Sequence, residues 1–328
     1  MRAILTSLLV LVLAVAAWLA YGLLLPLGPR RGERFVLLRP GSSAHHIARE
    51  LKRAGVIRSD RAFLLWHYWR GLPDLKAGEY KFDHPADARE VYRRIVAGDI
   101  YVRTVVIPEG YNIFDIGNVL EAAGLGSRED FLAVVRSDVS LISDLDAQAP
   151  SLEGYLFPDT YEFTRTQSLH DIAAAMVRRF RQESRQLGLD TDSHRVVTMA
   201  SIVEKETAVP AERPLVASVF YNRLRRHIVL ATDPSVIYAA LLAGRYNGVI
   251  HQSDLQFDSS YNTYKHAGLP PGPICNPGRD ALQAAIQPAS SDFLYFVSDN
   301  NGHHRFARSM QEHSRNVAAY RRAVAASR

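Results

Sequence analysis

The chain of 328 residues has the composition of an ordinary globular protein, with 47% hydrophobic and 22% charged residues. This balance excludes disorder over most of the length, and the length predicts about two to three domains. The formal net charge of +5 is compatible with a lipid surface, an anionic polymer or nucleic acid and selects none of them. Because no block of five like charges occurs, a nucleic-acid-binding tail has no support, and we expect no nucleic-acid partner.

The N-terminal segment is apolar over a length that can cross a membrane. Residues 3–29 contain no charged side chain, and a helix needs ~20 apolar residues to span the hydrocarbon layer. Trp18 and Tyr21 lie toward one end, as residues at a membrane interface often do. A cleaved signal peptide is the alternative, but its apolar region is usually only ~7–15 residues long. We therefore predict an uncleaved anchor and its flank over residues 1–33, with the lipid bilayer as partner.

The charges beside this segment predict an orientation by themselves. Arg2 lies on one side of it, and Arg30, Arg31 and Arg34 lie on the other. Because cytoplasmic flanks carry the excess of lysine and arginine, a literal count places the larger part of the chain in the cytoplasm. The family resemblance described below implies the opposite orientation, and we follow the resemblance.

A pattern that repeats after 69 residues follows the anchor. Each copy reads as an extended apolar run, a turn with proline or glycine, and an amphipathic helix that ends at glycine. Two copies are too few for a solenoid and predict two small α+β modules, each covering its own sheet with a helix. The matching pairs are Gly41 and Gly110, Ile47 and Ile116, Leu51 and Leu120, and Gly55 and Gly124.

Residues 34–101 resemble a LysM-like module, a small βααβ domain that grips sugar backbones. A further helix over residues 61–70 and a strand over residues 78–82 complete this pattern. The alternative is a structural spacer that keeps the active domain away from the membrane. Residues 102–150 are predicted as the second small α+β module or a connector.

Helical patterns dominate residues 151–328, which we predict as one domain. The single cysteine, Cys275, lies in a segment over residues 268–278 that is too rich in proline and glycine for a helix. One cysteine excludes a disulfide within the chain, and we expect a small packing residue. Residues 293–297 read as a buried strand, and a turn leads from it to residues 304–306, which predicts a hairpin. The predicted helices cover residues 170–187, 195–206, 213–226, 234–243, 279–287 and 313–325.

The segment Ser201-Ile-Val-Glu-Lys-Glu-Thr207 has helical periodicity and two carboxyl groups. At about 100° per residue, Glu206 lies about 60° from Val203 on the apolar face, and Glu204 lies about 100° away on the other flank. A carboxyl group on an apolar face loses hydration, which raises its pKa and keeps a proton available for general acid catalysis. Glu206 is therefore the first candidate acid and Glu204 the second. The alternative is a solvated helix end with paired charges.

Clusters of aromatic, amide and acidic residues lie around this segment in the sequence. Aromatic rings stack on the apolar face of a sugar, and amides bind its hydroxyl and acetamido groups. The clusters therefore suit a carbohydrate ligand, although each one alone is weak. They are Glu153-Gly-Tyr-Leu-Phe-Pro-Asp-Thr-Tyr161, Phe220-Tyr-Asn-Arg-Leu224, Thr232-Asp-Pro-Ser235 and Tyr261-Asn-Thr-Tyr264.

Five motifs in this order closely resemble the endolytic murein transglycosylase family of YceG-like proteins, over nearly the whole chain. The resemblance implies an α+β protein: a transmembrane helix, LysM-like α+β modules and a mostly helical, lysozyme-like catalytic domain with a small β element. It also implies a single-pass protein of the bacterial inner membrane, with the catalytic domain in the periplasm. The motifs are Ser201-Ile-Val-Glu-Lys-Glu-Thr207, Ala217-Ser-Val-Phe-Tyr-Asn-Arg-Leu224, Thr232-Asp-Pro-Ser-Val-Ile-Tyr238, Tyr261-Asn-Thr-Tyr264 and Gly268-Leu-Pro-Pro-Gly272.

The same resemblance implies an activity, in which the glycosidic bond between N-acetylmuramic acid and N-acetylglucosamine is cleaved within nascent glycan strands of peptidoglycan. Glu206 is the implied catalytic residue, and the product is a 1,6-anhydro sugar. No cofactor or metal is expected, and the peptidoglycan synthases are the implied protein partners. Residues expected to bind substrate are Glu153, Tyr155, Asn222, Arg223, Asp233, Ser235, Tyr261, Asn262 and Tyr264.

Two alternatives remain open from the sequence. One is a muramidase-type hydrolase in which Glu153 or Asp233 assists Glu206 as base. The other is a peptidoglycan-binding scaffold without enzymatic activity. Metal catalysis has little support, because the histidine pair at residues 303 and 304 is adjacent and is expected to point apart, and no HExxH motif occurs. No nucleophile elbow or nucleotide-binding glycine loop occurs either.

Overall fold

The computed structural model describes residues 2–29, 31–189 and 193–326. The chain divides into two compact units. Unit 1 consists of Met1–Thr104 and Glu162–Gln167, and unit 2 consists of Val105–Tyr161 and Ser168–Arg328. Most of the predicted second module, residues 102–150, thus belongs to unit 2 together with the helices of the predicted catalytic domain.

Helices and short two-stranded sheets make up both units. The helices are α1 (Arg2–Leu24), α2 (Ala44–Arg53), α3 (Asp60–Trp69), α4 (Ala88–Ala97), α5 (Ile113–Ala122), α6 (Arg128–Ser137), α7 (Leu169–Gln186), α8 (His194–Glu206), α9 (Arg213–Arg225), α10 (Asp233–Leu242), α11 (Arg279–Ile286) and α12 (Met310–Ala326). The strands are β1 (Arg34–Leu38), β2 (Gly78–Phe82), β3 (Arg103–Val106), β4 (Thr160–Phe163), β5 (Tyr295–Ser298) and β6 (His304–Ala307). Short 3₁₀ turns cover Val139–Leu141, Pro210–Glu212 and Asp254–Gln256.

Unit 1 combines the apolar helix α1 with a βααβ arrangement. Helix α1 is 23 residues long, has a mean hydropathy of 2.6 over its most apolar window, and is long and apolar enough to cross a membrane. Strands β1 and β2 pair antiparallel, from Arg34 opposite Phe82 to Leu38 opposite Gly78. Helices α2, α3 and α4 cover this sheet, and their apolar faces form one core with it. The predicted helix and strand after α2 are confirmed as α3 and β2.

The repeat predicted from the sequence is present in the structure. Helices α2 and α5 begin and end at positions 69 residues apart. Gly41 and Gly110 have φ angles of 76° and 78°, and Gly55 and Gly124 have φ angles of 66° and 68°. Glycine adopts this left-handed conformation without a steric penalty, which explains its place at both turns. After the second copy, β3 pairs with β4 at Thr160–Phe163, ten residues or more beyond residue 150, where the predicted module ends.

Unit 2 is built around helix α8, which packs against α9, α10 and α11. The predicted helices are observed, and each of their ends lies within three residues of the predicted position. The predicted hairpin is confirmed: β5 and β6 pair antiparallel and pack against α12. Residues 268–278 form neither helix nor strand, and Cys275 is fully buried there as expected.

The side chain of Asn276 connects this proline- and glycine-rich loop to two distant segments. Its Oδ1 accepts hydrogen bonds from the N–H groups of Gly154 and Leu156, each at 2.9 Å. Its Nδ2 donates to the carbonyl of Tyr111 at 2.9 Å and to Oε1 of Glu153 at 2.8 Å. Asn276 is fully buried, so its amide is satisfied entirely by the protein. Loop 268–278 is thereby held against the segments that precede α5 and β4.

We expect Asn276→Ala to lower the free energy of unfolding of unit 2 by about 3 kcal/mol or more, because it leaves several buried polar groups unpaired. Hydrogen exchange in peptides from residues 105–161 measures the effect. Tryptophan fluorescence does not, since all three tryptophans lie in the first 69 residues. Asn247→Ala, on an exposed turn, is the matched control. Equal exchange in both variants would contradict this role of Asn276.

Candidate functional site

Glu206 is the last residue of helix α8 and faces a cavity of about 300 Å³. The next residue, Thr207, is extended and ends the helix. The cavity walls come from α9, the segment before α10, the start of α10, strand β5 and helix α12. The lining residues are Glu206, Phe220, Arg223, Leu230, Ala231, Asp233, Tyr264, Phe296 and His313.

The surroundings of Glu206 favour the protonated acid. Burial is the main cause that raises the pKa of Glu206, and the negative charge of Asp233 adds to the rise. Its place at the carboxyl end of a helix acts in the same direction, because the last carbonyls carry partial negative charge. Thr232, His304 and Arg223 offset part of the rise. The Thr232 hydroxyl lies close to this carboxyl group but does not form a regular hydrogen bond with it.

Glu204 has a different environment, although it is only two residues away. Its Oε1 accepts a hydrogen bond from Nη2 of Arg213 at 2.8 Å, and its Oε2 accepts one from the N–H of Gly278 at 2.9 Å. The side chains of Glu204 and Arg213 are each only 6% exposed. Glu204, the second candidate acid, is therefore enclosed by α9 and loop 268–278. Both of its oxygens are engaged in structural contacts.

Three predicted binding residues line the cavity together with Glu206. Tyr264 donates a hydrogen bond from its hydroxyl to Oδ1 of Asp233 at 2.6 Å. Arg223 donates from Nε to the carbonyl of Leu294 and from Nη1 to the carbonyl of Leu230, each at 2.7 Å. Burial lowers the pKa of Arg223 and raises that of Tyr264. A positive charge, a phenol and a carboxylate therefore surround the acid.

Other predicted binding residues lie outside the lining of this cavity. Tyr155 is fully buried and donates its hydroxyl to Oδ2 of Asp146 at 2.7 Å. Asn222 faces away from the cavity and donates from Nδ2 to the carbonyls of Ser291 and Phe293, each at 2.8 Å. These contacts hold neighbouring loops in place.

Ser235, Asn262 and Tyr261 also lie outside the cavity lining and form contacts within the protein. The hydroxyl of Ser235 contacts the carbonyl of Thr232 at 2.7 Å, at the start of α10. Asn262 is fully buried and donates from Nδ2 to the carbonyl of Phe257 at 2.7 Å. The ring of Tyr261 packs against that of Tyr238, with centroids 5.1 Å apart. These residues shape the segment that carries Tyr264, which itself lines the cavity.

Glu153 is enclosed in the interior of unit 2 and is absent from the cavity lining. Its Oε2 accepts a hydrogen bond from the N–H of Ile113 at 3.0 Å, and Asn276 binds its Oε1. Burial raises the pKa of Glu153 to about 8, although Ile113 and the hydroxyl of Tyr238 oppose the rise. The carboxyl group therefore remains protonated at neutral pH inside the hydrogen-bond network of Asn276.

Several lining residues were missed by sequence reasoning. Phe220 lies in a motif that was recognised, but Phe296 and His313 were not expected near Glu206. The ring of His313 stacks on that of Tyr295, with centroids 5.2 Å apart, and burial lowers its pKa. Phe296 lies in the predicted hairpin and His313 in the predicted helix over residues 313–325, and no local pattern reveals that these elements pack together.

The adjacent histidines His303 and His304 do not point apart as expected. Both Nδ1 atoms contact the carboxylate of Glu212, at 3.0 Å and 2.7 Å. His303 lies just before strand β6, so the alternation of side chains between the two faces of a strand does not apply to it. Both rings can therefore reach the same carboxylate. Histidine contacts and the N–H of His304 hold the pKa of Glu212 below its ordinary value.

A second cavity of about 350 Å³ is lined in part by the first turn of α10. Asp233 lines the first cavity and Pro234 lines the second. Lys205, between the two carboxyl groups of α8, also lines the second cavity. The start of α10 and the end of α8 therefore contribute residues to both cavities.

The family model described as the YceG-like family matches residues 36–319, which is most of the sequence. This chain belongs to the YceG-like family. The match includes unit 1 after the apolar helix, together with the cavity around Glu206. The resemblance predicted from the five motifs is thus confirmed.

Named relatives and a solved structure agree with this assignment. An endolytic murein transglycosylase of Bacillus subtilis is 33% identical over 303 residues, covering 85% of this chain and 82% of the relative. An endolytic murein transglycosylase of Streptococcus pneumoniae is 32% identical, covering 85% of this chain and 57% of that longer relative. The crystal structure of a putative YceG-like protein from Listeria monocytogenes matches with a TM-score of 0.57 and 31% identity, covering 86% of this chain and 98% of the other.

We expect the stability of this YceG-like protein to depend on pH through Glu153. Between pH ~4.5 and ~8 the folded protein keeps a proton on Glu153 that the unfolded chain releases, so the free energy of unfolding falls as pH rises. The contribution is complete below pH ~4.5 and lost above pH ~8. Glu153→Gln removes this dependence. The difference in the free energy of unfolding between the natural protein and the variant should therefore change by about 3–5 kcal/mol between pH ~4.5 and ~8. Denaturant unfolding monitored by hydrogen exchange measures this difference. If the stability of both proteins changed with pH in the same way, Glu153 would not be the group responsible.

Proposed function

We propose that the chain is a membrane-bound endolytic lytic transglycosylase. It cleaves the bond between N-acetylmuramic acid and N-acetylglucosamine in glycan strands of peptidoglycan and leaves 1,6-anhydro-N-acetylmuramic acid ends. The observation that carries this proposal is Glu206, a carboxyl group with a raised pKa that faces a cavity. Among the described residues Glu206 forms no ion pair, in contrast to Glu204. The names of the Bacillus and Streptococcus relatives support the substrate and the reaction.

The reaction needs one proton carrier at the scissile bond. Protonated Glu206 donates its proton to the bridging oxygen, the C1–O bond breaks, and positive charge develops at C1 of the muramic acid residue. The resulting carboxylate takes the proton from the C6 hydroxyl of the same sugar. The C6 oxygen bonds to C1, which closes the 1,6-anhydro ring and restores protonated Glu206. No water is consumed, so the masses of the two products sum to that of the substrate.

A hydrolase with Asp233 as second carboxylate is the competing function. Ordinary glycoside hydrolases need two carboxyl groups, one as acid and one as base or nucleophile. Asp233 lies in the same cavity as Glu206, which favours it over the enclosed Glu153. However, Oδ1 of Asp233 already accepts the hydroxyl of Tyr264. We therefore assign Asp233 to positioning Tyr264 and to raising the pKa of Glu206.

The remaining lining residues suit a sugar ligand. Phe220 and Phe296 supply apolar ring surface, which packs against the hydrophobic face of a pyranose. Tyr264 supplies a hydroxyl, and Arg223 supplies positive charge that suits the lactyl or peptide carboxylates of muramic acid residues. The second cavity, beyond Pro234, extends this surface for a neighbouring part of the strand.

Unit 1 supplies the attachment in this proposal. Helix α1 is the single membrane span, and the β1–α2–α3–β2 arrangement is a LysM-like module that contacts glycan or spaces unit 2 from the membrane. The catalytic unit lies in the periplasm, on the outer side of the inner membrane, because peptidoglycan is found there. Synthases that extend the glycan strands are the protein partners that this location favours.

We expect Glu206→Gln to abolish the release of anhydro products from sacculi, because the variant has no proton to donate at the glycosidic oxygen. The loss of kcat/KM should reach about 10²–10⁴-fold or more, with the fold unchanged. Mass spectrometry of the released fragments measures it. Glu129→Gln, at an exposed position with the same chemical change, is the matched control.

The product masses separate the competing functions. Hydrolysis gives fragments that are heavier by one water than the anhydro fragments. Binding of sacculi without any released fragment from the natural protein would indicate a scaffold. Full turnover by the Glu206→Gln variant would refute the assignment of the acid.

We expect Asp233→Asn to move the alkaline limb of the kcat/KM profile to lower pH. Activity requires protonated Glu206, so it falls as pH rises through that pKa. Asp233 raises the pKa of Glu206, and the substitution removes its charge. Tyr264→Phe removes the hydrogen bond but leaves the charge, and its alkaline limb should stay near that of the natural protein. An unchanged limb in Asp233→Asn would contradict this account.

A further inference from the structure

Helix α3 of unit 1 exposes large apolar side chains in a continuous row. Trp69 is 73% exposed, Tyr68 57%, Leu72 52% and Leu65 51%. Leu65, Tyr68 and Trp69 are three or four positions apart and lie on one side of the helix, and Leu72 follows shortly after the helix ends. Folded proteins rarely leave such rows in water, and exposed aromatic rows mark a surface that contacts a partner or a membrane.

The same helix packs against the end of α1. A Cβ atom on Gly22 would lie 2.8 Å from Cβ of Ala62 and 3.2 Å from Cβ of Ser59, so the two helices touch at this glycine. Leu23 is buried in the core of unit 1, and Leu19 packs against that core. The last two turns of the apolar helix are thus part of the fold of unit 1.

Arg58 strengthens this joint at the carboxyl end of α1. Its guanidinium donates to the carbonyl of Leu25 at 3.3 Å and to that of Pro26 at 3.0 Å. It also lies over the ring of Tyr21, 5.2 Å from the centroid. A cation at this position satisfies free carbonyls and interacts favourably with the helix dipole. Helix α1 is therefore held firmly against α3.

The length of the apolar segment places this joint at the membrane surface. Residues 3–25 extend about 35 Å as a helix at 1.5 Å per residue, against ~30 Å of hydrocarbon. Leu19 lies only about 9 Å along the axis from Leu25. Since Leu19 already contacts the core of unit 1, little distance remains between that core and the headgroup layer.

The side of α3 that faces α1 borders the exposed row and shares Trp69 with it. Ser59 and Ala62 face Gly22, and positions 66 and 69 follow at helical spacing on the same side. Trp66, which packs against the core of unit 1, contacts Trp69 with ring centroids 4.9 Å apart. The exposed row therefore lies beside the face of α3 that packs against α1.

We propose that this row of α3, comprising Leu65, Tyr68, Trp69 and Leu72, inserts into the headgroup layer of the membrane that α1 spans. The inference rests on the proposed membrane anchor. Tryptophan and tyrosine prefer this layer, because one part of each ring system is apolar and another forms hydrogen bonds. Unit 1 is then attached to the bilayer at two places, the span and α3, and it cannot swing freely about the end of α1.

Single-tryptophan variants of the full chain test the inference, because the chain has three tryptophans, Trp18, Trp66 and Trp69. The protein is placed in phosphatidylcholine vesicles that carry bromine at graded depths on the lipid chains. With Trp18 and Trp66 replaced by Phe, emission from Trp69 should lose most intensity to the shallowest bromines. A Trp18→Phe variant that retains Trp66 repeats the measurement if the double variant folds poorly.

The variant that retains only Trp18 separates the two proposals. Trp18 lies about 10 Å below Leu25 along the helix axis, so deeper bromines should quench it more strongly. If no bromolipid quenches Trp18, the proposal that α1 is a membrane anchor is refuted. Quenching at Trp18 but none at Trp69 would overturn the proposed contact of α3 with the membrane. In that case, quenching of Trp69 by iodide shows that it faces water, and protection from iodide shows that a second protein covers it.

Discussion

The buried amide of Asn276 is the interaction on which the rest of unit 2 depends. It joins loop 268–278 to the segments around residues 111 and 154 through hydrogen bonds that no water can replace. Two residues later the same loop supplies the N–H of Gly278 to Glu204. The end of α8 is thereby fixed, and with it the direction in which Glu206 leaves the helix. A polar contact in the interior thus helps to position the proposed acid at the cavity.

Two carboxyl groups separated by one residue have different contacts because their neighbours differ. Arg213 and Gly278 occupy both oxygens of Glu204, which then ties α8 to α9 and the loop. Glu206 faces the cavity, where burial and the charge of Asp233 raise its pKa. Burial raises the pKa of both groups, so the difference between them lies in their contacts: Glu204 is bound to Arg213 and Gly278, whereas Glu206 faces the cavity. In the proposed reaction one such group is sufficient, because the substrate provides the attacking hydroxyl.

Unit 1 shows how a long apolar helix can be part of a folded module. The glycine at position 22 allows α3 to approach α1 closely, and Arg58 binds the carbonyls at the end of that helix. A joint of this kind transmits the orientation of the helix to the module, whereas a flexible linker would not. In the proposed membrane-bound enzyme, the proposed attachment at two places restricts which way unit 1 faces.

Local patterns in the sequence determined the helices, the repeat of 69 residues, the hairpin, the long apolar helix at the N-terminus and the choice of residues 204 and 206 as candidate acids. These features depend on periodicity and turn residues, which neighbouring positions encode. Only the tertiary structure decided which of the two carboxyl groups is enclosed, because Arg213 and Gly278 are brought to Glu204 by other elements. It also separated the polar clusters: Arg223, Asp233 and Tyr264 meet at the cavity, while Glu153 joins Asn276, 123 positions away, in the interior. Such contacts arise from the packing of distant segments, and no single stretch of sequence contains the information that selects them.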